Sequence, residues 1–518
     1  DNRIIVNSME PRGCYAEMEG DRIHVAINAQ GVWAHKDQLA EALQVDKEQI
    51  RVTNPDVGGG FGMKAMGYPE PFVLAHATRT LNRPVRWMSD RGEAMMSDNG
   101  GQVEGYYTNT TQVDAYRGAG RPEAIYVLER VMDRAARELG IDPWELRRRN
   151  FIKPNQFPYK TATGETYDVG DFNKVLNRMV TEADDDGFAT RKAADAERGL
   201  LRGRGTCYYI ESILGDPSEG AKVTFNEDGT VSIYVGTQSN GQGHETVYAK
   251  FLSDQTGIPH DLITVIQGDS DLIKQGGGTG GSRSVTTQNN ATLATVDVIL
   301  TSFKEFLSGE MGVEPSEIKF DDERFRAEGS NLTPTILEVA ALAREVERDD
   351  LLKHEARASL PARSFPNGAH VAEVVIDPDT GVTTVDRYTV VDDFGNLINP
   401  MLAEGQVHGG VAQGIGQAIT EHVVYDEDGQ LLSASFMDYA MPRAYDVPWI
   451  GFTSEPVPST ANIMGMKGCG EAGTVGALAA VSNAVQDALW ERGVRQADMP
   501  FTPMRVWEML KNEPVAAE

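Results

Sequence analysis

The chain has 518 residues and a formal net charge of −29, from 48 Lys and Arg against 77 Asp and Glu. So acidic a balance excludes sequence-independent nucleic-acid binding, which needs a cationic face for phosphate. With 40% hydrophobic and 24% charged residues, the composition is that of a folded protein of two or more domains. No apolar run reaches the length of a membrane span; the longest, 472–484, is broken by Gly473, Gly476 and Ser482.

In chain order, the sequence opens on a strand-like Ile4-Ile5-Val6 without an initiator Met, as the middle of a longer chain would. A glycine cluster stands at 58–62, and an abrupt, aperiodic join follows near 98–102. After a second cluster at 118–120, the spacing predicts a helix over 122–139. It would bury Ile125, Leu128, Val131, Met132, Ala135 and Leu139, with Pro122 in its first turn and Gly140 at its stop. The charged stretches 182–198 and 345–358 read as solvated helices or linkers. Strand patterns begin near Gly203, which divides the chain into 1–202 and 203–518. Alternation predicts solvent-rimmed hairpins over 222–236, 372–391 and 422–435, turned at Asp228-Gly229, Asp379-Thr380-Gly381 and Asp428-Gly429. Helices are expected over 286–306 and 474–492, and no repeat of fixed period is present. The fold class is α+β, mixed α/β and multi-domain.

The three cysteines, Cys14, Cys207 and Cys469, are too few for a disulfide framework or a four-cysteine iron–sulfur site. With no secretory or transit segment visible, they predict a reducing, cytoplasmic setting. No close Cys/His set supports zinc. The segment Gly468-Cys469-Gly470-Glu471-Ala472-Gly473 matches the dinucleotide pattern G-x-G-x-x-G, but no strand pattern precedes it and no βαβ unit follows, so a nicotinamide dehydrogenase is a poor rival. Glu471 in its midst is either a helix-dipole partner or, if desolvated without a partner, a general base with a raised pKa. Further glycine clusters stand at 241–243, 276–281, 405–416 and 465–476. Several clusters run directly into predicted helices, where free N–H groups gather. The run Gly276–Ser284, the segment Gln238–His244, and the pair Arg117 and Arg121 about a glycine turn are parts suited to tight packing or to an anionic ligand embraced by several loops.

Six ordered motifs carry a family resemblance. They are Val57-Gly58-Gly59-Gly60-Phe61-Gly62, Ala115-Tyr116-Arg117-Gly118-Ala119-Gly120-Arg121-Pro122-Glu123, Gly241-Gln242-Gly243-His244, Gly280-Gly281-Ser282-Arg283-Ser284, Glu404-Gly405-Gln406-Val407-His408-Gly409-Gly410 and Lys467-Gly468-Cys469-Gly470-Glu471-Ala472-Gly473. Over nearly the whole chain they resemble the molybdenum-binding large subunit of the xanthine oxidase (molybdenum hydroxylase) family, on its aerobic carbon monoxide dehydrogenase-like branch. Family members begin with a further domain, and they carry extra strands where this chain passes from Asp98 to Val103.

The resemblance implies glycine loops converging on a molybdopterin cofactor, commonly the cytosine dinucleotide form in bacterial members, whose dithiolene holds molybdenum without a side-chain ligand. It implies Glu471 as the base that deprotonates a Mo–OH group for attack on an electron-poor carbon, with hydride passing to Mo=S. It implies Gln30 at the apical oxo group and Arg117 near the metal. Phe61 and Gly62 would lie beside the metal, and Gly60 and Gly118 would contact the cofactor. Gln242, Gly243, His244, Thr279, Gly281, Ser282, Arg283, Ser284, Gln406, Lys467, Gly468, Cys469 and Gly470 would contact the cofactor. Carbon monoxide dehydrogenases place a copper-binding cysteine where this chain has Gly118, so the resemblance favours a hydroxylase of N-heteroaromatic rings or aldehydes over a Mo–Cu enzyme. It also implies a small [2Fe-2S] subunit and a medium FAD-binding subunit, assembled as a dimer of heterotrimers. A non-catalytic cofactor-binding scaffold is the reading of a different class.

Overall fold

The computed structural model describes residues 4–5, 8–89, 99–100, 115–162 and 164–512; the join near 98–102 lies almost wholly outside them. One topological unit occurs three times. In each, an antiparallel hairpin continues through a crossover helix into a parallel edge strand. The first is β1 (Gly13–Glu19), β2 (Arg22–Ile27), α1 (Trp33–Leu43) and β3 (Ile50–Thr53), with α2 (Pro69–Leu81) leading to β4 (Val85–Met88) beside β1.

Helices α3 (Arg121–Leu139), α4 (Pro143–Asn150), α5 (Phe172–Glu182) and α6 (Asp185–Glu197) come next, and then β5 (Leu201–Ile210). The second unit is β6 (Ser218–Phe225), β7 (Val231–Val235), α7 (His244–Thr256) and β8 (Ile263–Ile266). The long α8 (Ser284–Met311) and α9 (Ile336–Glu345) then lead to β9 (Lys353–Ser359), which pairs with β6. The third unit is β10 (Asn367–Ile376), β11 (Thr383–Asp393), α10 (Pro400–Ile415) and β12 (Ile450–Ser454), with β5 pairing on β10 and α11 (Ala472–Trp490) following. The sequence shows no repeat because the units share connectivity, not side chains.

The largest core lies between the third sheet and α11, whose residues from Ala472 to Gln486 are all buried. This helix is rich in small residues because it approaches the sheet backbone. A Cβ added at Gly205 of β5 would stand 2.0 Å from the Ala480 carbonyl, so only glycine fits there. A separate cluster joins Trp144, Phe172, Val175 and Leu176 to Tyr208, Val371 and Val391, so residues on both sides of Gly203 share one core.

The structure corrects several local expectations. The helix expected over 122–139 forms, but Leu128, Val131 and Leu139 are exposed, and the face against its neighbours carries Glu129, Asp133 and Ala136. Glu129 Oε2 accepts hydrogen bonds from Arg147 Nη2 at 2.7 Å and Nε at 2.9 Å and from the Tyr208 N–H at 2.9 Å, so ion pairing with α4 overrides the apolar stripe. The stretch 345–358 runs into the edge strand β9 rather than a helix or linker. The hairpin expected over 372–391 is present but buried rather than solvent-rimmed, and 422–435 keeps only an isolated bridge between Tyr425 and Leu431. Among the described residues no helix is long and apolar enough to cross a membrane.

Replacing Glu129 by Ala would leave the buried Arg147 guanidinium without its carboxylate. The expected cost is about 3–5 kcal/mol, measured as a shift of the denaturant midpoint at constant slope.

Candidate functional site

In each unit the loops leaving the parallel strand pair emerge at the same end of the sheet, the end at which open α/β sheets bind ligands. From the first unit come Gln30, after β2, and Phe61-Gly62, after β3. The second supplies 236–243 after β7 and 267–283 after β8, and the third supplies 455–471 after β12. The loops touch one another. The Asn54 N–H donates to the Gly268 carbonyl at 2.6 Å, the Thr279 N–H to the Gln30 carbonyl at 2.8 Å, and the Leu214 N–H to the Gly281 carbonyl at 2.8 Å.

Gln30 is buried and bridges two loops. Its Oε1 accepts from the Gly62 N–H at 2.9 Å and its Nε2 donates to the Thr279 carbonyl at 3.1 Å. Gly60 lies against this side chain, where a Cβ would stand 2.7 Å from the amide. Phe61 and Ser282 hold positive φ angles of 53° and 56°, backbone strain of the kind concentrated at functional turns.

Arg117 is buried and fully engaged. It donates from Nε to the Gly470 carbonyl at 2.6 Å, from Nη1 to Gln413 Oε1 at 3.1 Å, and from Nη2 to the Gln406 carbonyl and Oε1 at 2.9 and 3.0 Å. Burial pulls its guanidinium down from the ordinary value, against the acidic groups of Tyr116, Glu471, Cys469 and Glu211 around it.

Glu471 occupies the N-cap position of α11 without a side-chain bond to the helix's own N–H groups, and of the two readings its surroundings allow, the partnerless carboxylate is not the one found. Its Oε1 accepts the Gly118 N–H at 2.8 Å, and its Oε2 accepts Arg121 Nη2 and Ser282 Oγ, each at 2.8 Å. Two separate chain segments, the 118–121 turn and the Ser282 loop, therefore aim three donors at one carboxylate whose side chain is 13% exposed. Gly118 itself has φ +103°, and a Cβ there would stand 2.5 Å from the Pro122 ring. Gly468 and Gly470 pack over Ser282, and burial pushes the Cys469 thiol up to about 12, so it is no thiolate near neutrality.

Two expected anion ligands have other employment. Arg283 donates from Nε to the Asp216 carbonyl at 2.6 Å, from Nη1 to the Gly278 carbonyl at 3.0 Å, and from Nη2 to the Ser218 carbonyl and buried Glu219 at 2.9 and 2.8 Å. It braces the 276–281 loop. The Lys467 ammonium is buried on Asp393 at 2.5 Å, so this residue can offer the loop end its main chain only.

Thr279 Oγ1 donates to the Gln238 carbonyl at 2.5 Å, accepts the Gln238 N–H at 3.1 Å and lies 3.0 Å from Ser284 Oγ at the start of α8. Gln242 folds back onto Asn240 N and the Gln238 carbonyl. Gly243, with φ +77°, opens α7, and the next residue, His244, is buried and held neutral, its pKa pulled down to about 3. His244 Nδ1 and Gln238 Oε1 find no hydrogen-bond partner, which buried polar groups ordinarily have.

Arg121, which the sequence pairs with Arg117 about a glycine turn as suited to an anion, serves Glu471 instead. Two buried acids carry no motif: Glu211 directly follows β5, its one signal a lone carboxylate closing an apolar run, and Glu421 lies near Tyr116.

Known proteins agree with this construction. Models of the molybdopterin cofactor-binding domain match residues 2–104 and 100–151, and a second such domain matches 178–448. The carbon monoxide dehydrogenase large chain of Hydrogenophaga pseudoflava is 29% identical, over 98% of this chain and 73% of that protein. The nicotine 6-hydroxylase large subunit of Paenarthrobacter nicotinovorans is 28% identical, over 98% and 72%. The solved structure of quinoline 2-oxidoreductase from Pseudomonas putida 86 superposes with a TM-score of 0.92 at 28% identity, over 99% and 75% of the two chains.

The residues present fit a molybdopterin. The loops bring backbone turns, the α7 N-terminus and the unpartnered His244 Nδ1 and Gln238 Oε1 to one end of the sheets, donors and acceptors suited to a pterin and its phosphate.

Replacing Arg283 by Met leaves Glu219 buried and unpaired. It is expected to lower the stability of the cofactor-free protein by about 3–5 kcal/mol, read from the thermal midpoint. Burial pushes Glu421 up to about 7, against the Tyr439 hydroxyl that holds it down. Neutral Glu421 therefore stabilises the fold fully below its ordinary value of 4.5, and that contribution is lost as pH rises through about 7. Glu421→Gln should flatten this fall, worth about 3 kcal/mol, in denaturant midpoints measured across that window.

Proposed function

The chain belongs to the molybdopterin-binding large subunits of the xanthine oxidase family, as a catalytic molybdenum hydroxylase or dehydrogenase subunit, and from that premise we propose that it hydroxylates an electron-poor carbon of an N-heteroaromatic ring with Glu471 as general base. The observation that carries this reading is the Glu471 carboxylate, held by Gly118, Arg121 and Ser282 at the mouth of α11, among the loops that fit the cofactor.

When bound, the cofactor supplies two-electron redox chemistry at a metal carried by its own sulfurs. The chain does the rest. Glu471 Oε1 and Oε2 are fixed by donors from other loops, so the carboxylate is held in one orientation, as a group that would accept a proton beside the cofactor requires. Gln30 ties the Phe61-Gly62 turn to Thr279, which holds the two walls of the site in register. Arg117, engaged with Gln406, Gln413 and Gly470, fixes α10 against the turn that carries Glu471. The phosphate-bearing end of the cofactor, taken to be the cytosine dinucleotide form, would lie along Gly243-His244 and Thr279–Ser284.

Gly118 supports a ring hydroxylase over copper-dependent carbon monoxide oxidation. No thiol is present at that position, and the Pro122 ring fills the space a side chain would need. The similarity to nicotine 6-hydroxylase and quinoline 2-oxidoreductase points to the same substrate class. Electrons must leave the subunit after each turnover. Three free cysteines, Cys14 and Cys207 among the buried residues, are too few to ligate a cluster, so a [2Fe-2S] subunit and an FAD-binding subunit are the expected route.

Glu471→Gln in the assembled complex should retain bound molybdenum by elemental analysis and lose about 100- to 10,000-fold in turnover. A panel of pyridine, quinoline and purine rings set against aldehydes, with an artificial electron acceptor, identifies the substrate class. Aldehydes as the sole substrates would overturn the ring assignment.

A further inference from the structure

Behind Glu471 lies a second carboxyl group. Glu211 directly follows β5 with its side chain 0% exposed, and its Oε1 is 3.1 Å from Ser282 Oγ and 3.2 Å from Arg121 Nη1. Ser282 and Arg121 are the same two groups that hold Glu471 Oε2. One guanidinium and one hydroxyl thus serve two carboxyls.

The hydroxyl carries a single proton and can donate to only one of them. Were both groups ionised, Ser282 would leave one carboxylate facing an oxygen lone pair, and two like charges would share a single guanidinium in direct contact, that of Arg121, in a poorly solvated site. The two groups are not equivalent. Glu471 has the Gly118 N–H, the N-terminus of α11 and partial access to solvent. Glu211 has none of these, and its Oε2 has no partner.

The other titratable and charged groups around the pair are Arg117 from the turn before α3, Cys469 from the turn before α11, and Tyr209 from β5. Cys469 and Tyr209 are both held in their neutral forms by burial, and Arg117 is engaged with carbonyl and amide oxygens.

We propose that Glu211 is a protonated positioning residue, whose Oε1–H donates to Ser282 Oγ so that the Ser282 hydroxyl donates to Glu471 Oε2 and keeps that carboxylate aimed. The proposal rests on Glu471 serving as the base. Burial, reinforced by the charge of Glu471, pushes the Glu211 carboxyl well above the ordinary carboxylate range, against the pull of Arg121 and Ser282. Ser282, placed in the sequence reading among the cofactor contacts, becomes in addition the hydrogen-bond link between two acids.

Infrared difference spectroscopy of the purified complex near neutral pH, wild type minus Glu211→Gln, tests the protonation state directly. The expected result is loss of a carbonyl stretch of a protonated carboxylic acid. Loss of an ionised-carboxylate band instead would overturn the proposal. In the wild type the acid band should disappear at alkaline pH, and Glu471→Gln should move its midpoint downward, because the neighbouring negative charge has gone; an unmoved midpoint would also overturn it.

The kinetic readout separates positioning from fold damage. Glu211→Leu should lower kcat about 10- to 100-fold with KM held within about twofold, as for loss of a hydrogen bond to a charged group. Glu211→Gln, which cannot ionise, should remove the alkaline limb of the pH–rate profile that Glu211 generates; a limb left in place would count against the assignment. Full turnover by Glu471→Gln would sink the base reading and leave the infrared assignment of Glu211 intact, so the two failures are distinguishable.

Discussion

Helix α11 can lie against the backbone of β5 only because Gly203 and Gly205 present no side chains and the helix presents Ala480, Ala484 and Ala488. That close approach sets where the N-terminus of α11 falls, and Glu471 is the residue at that N-terminus. A helix buried along its length has no freedom to slide, so the carboxylate at its mouth is fixed by packing before any hydrogen bond is counted. The donors from Gly118, Arg121 and Ser282 then act on a group that has already been placed. Orientation of this kind is what a general base needs, since a misaligned carboxylate loses the advantage of proximity.

Charge in this site is organised around a few strongly engaged side chains in a chain of net charge −29. Arg283, Arg117 and Lys467 do not form an open cationic bowl for phosphate. Each is buried and committed to carbonyls, amides or a carboxylate that bind one loop to another. Buried cations of this sort rigidify the turns, and the turns in turn leave N–H groups and neutral polar atoms for an anionic cofactor. The threefold recurrence of a hairpin, a crossover helix and a parallel edge strand gathers those turns at corresponding strand ends, which explains how segments more than 400 residues apart meet at one place.

Parts of this were legible from the residues. Glycine clusters marked the turns, Asp-Gly and Asp-Thr-Gly marked two of the hairpins, and six ordered motifs marked the family. Glu471 stood out as a carboxylate among glycines. Local chemistry was also what misled. The apolar positions of α3 satisfied a helical period, yet Glu129 and Asp133 occupy its packed face because Arg147 and Arg137 supply their counter-charges. The charged run that ends in β9 carried a weak strand signal, because the outward positions of this edge strand are Lys353, Glu355 and Arg357 and its inward ones are only His354, Ala356 and Ala358. Glu211 carried no motif, and its meaning depends wholly on Arg121, Ser282 and Glu471, which arrive from three distant segments.

The sequence by itself determined which positions lack side chains, which turns precede helices, and that too few thiols exist for an iron–sulfur cluster or a copper ligand at position 118. These are properties of single residues and short windows, fixed by backbone sterics and covalent chemistry. Tertiary structure alone decided which cations are available and which are neutralised, which face of α3 is buried, and that Glu471 shares its donors with a second acid. Such outcomes depend on desolvation and on hydrogen-bond partners brought together across hundreds of residues, and no local pattern encodes a distance that only the folded chain creates.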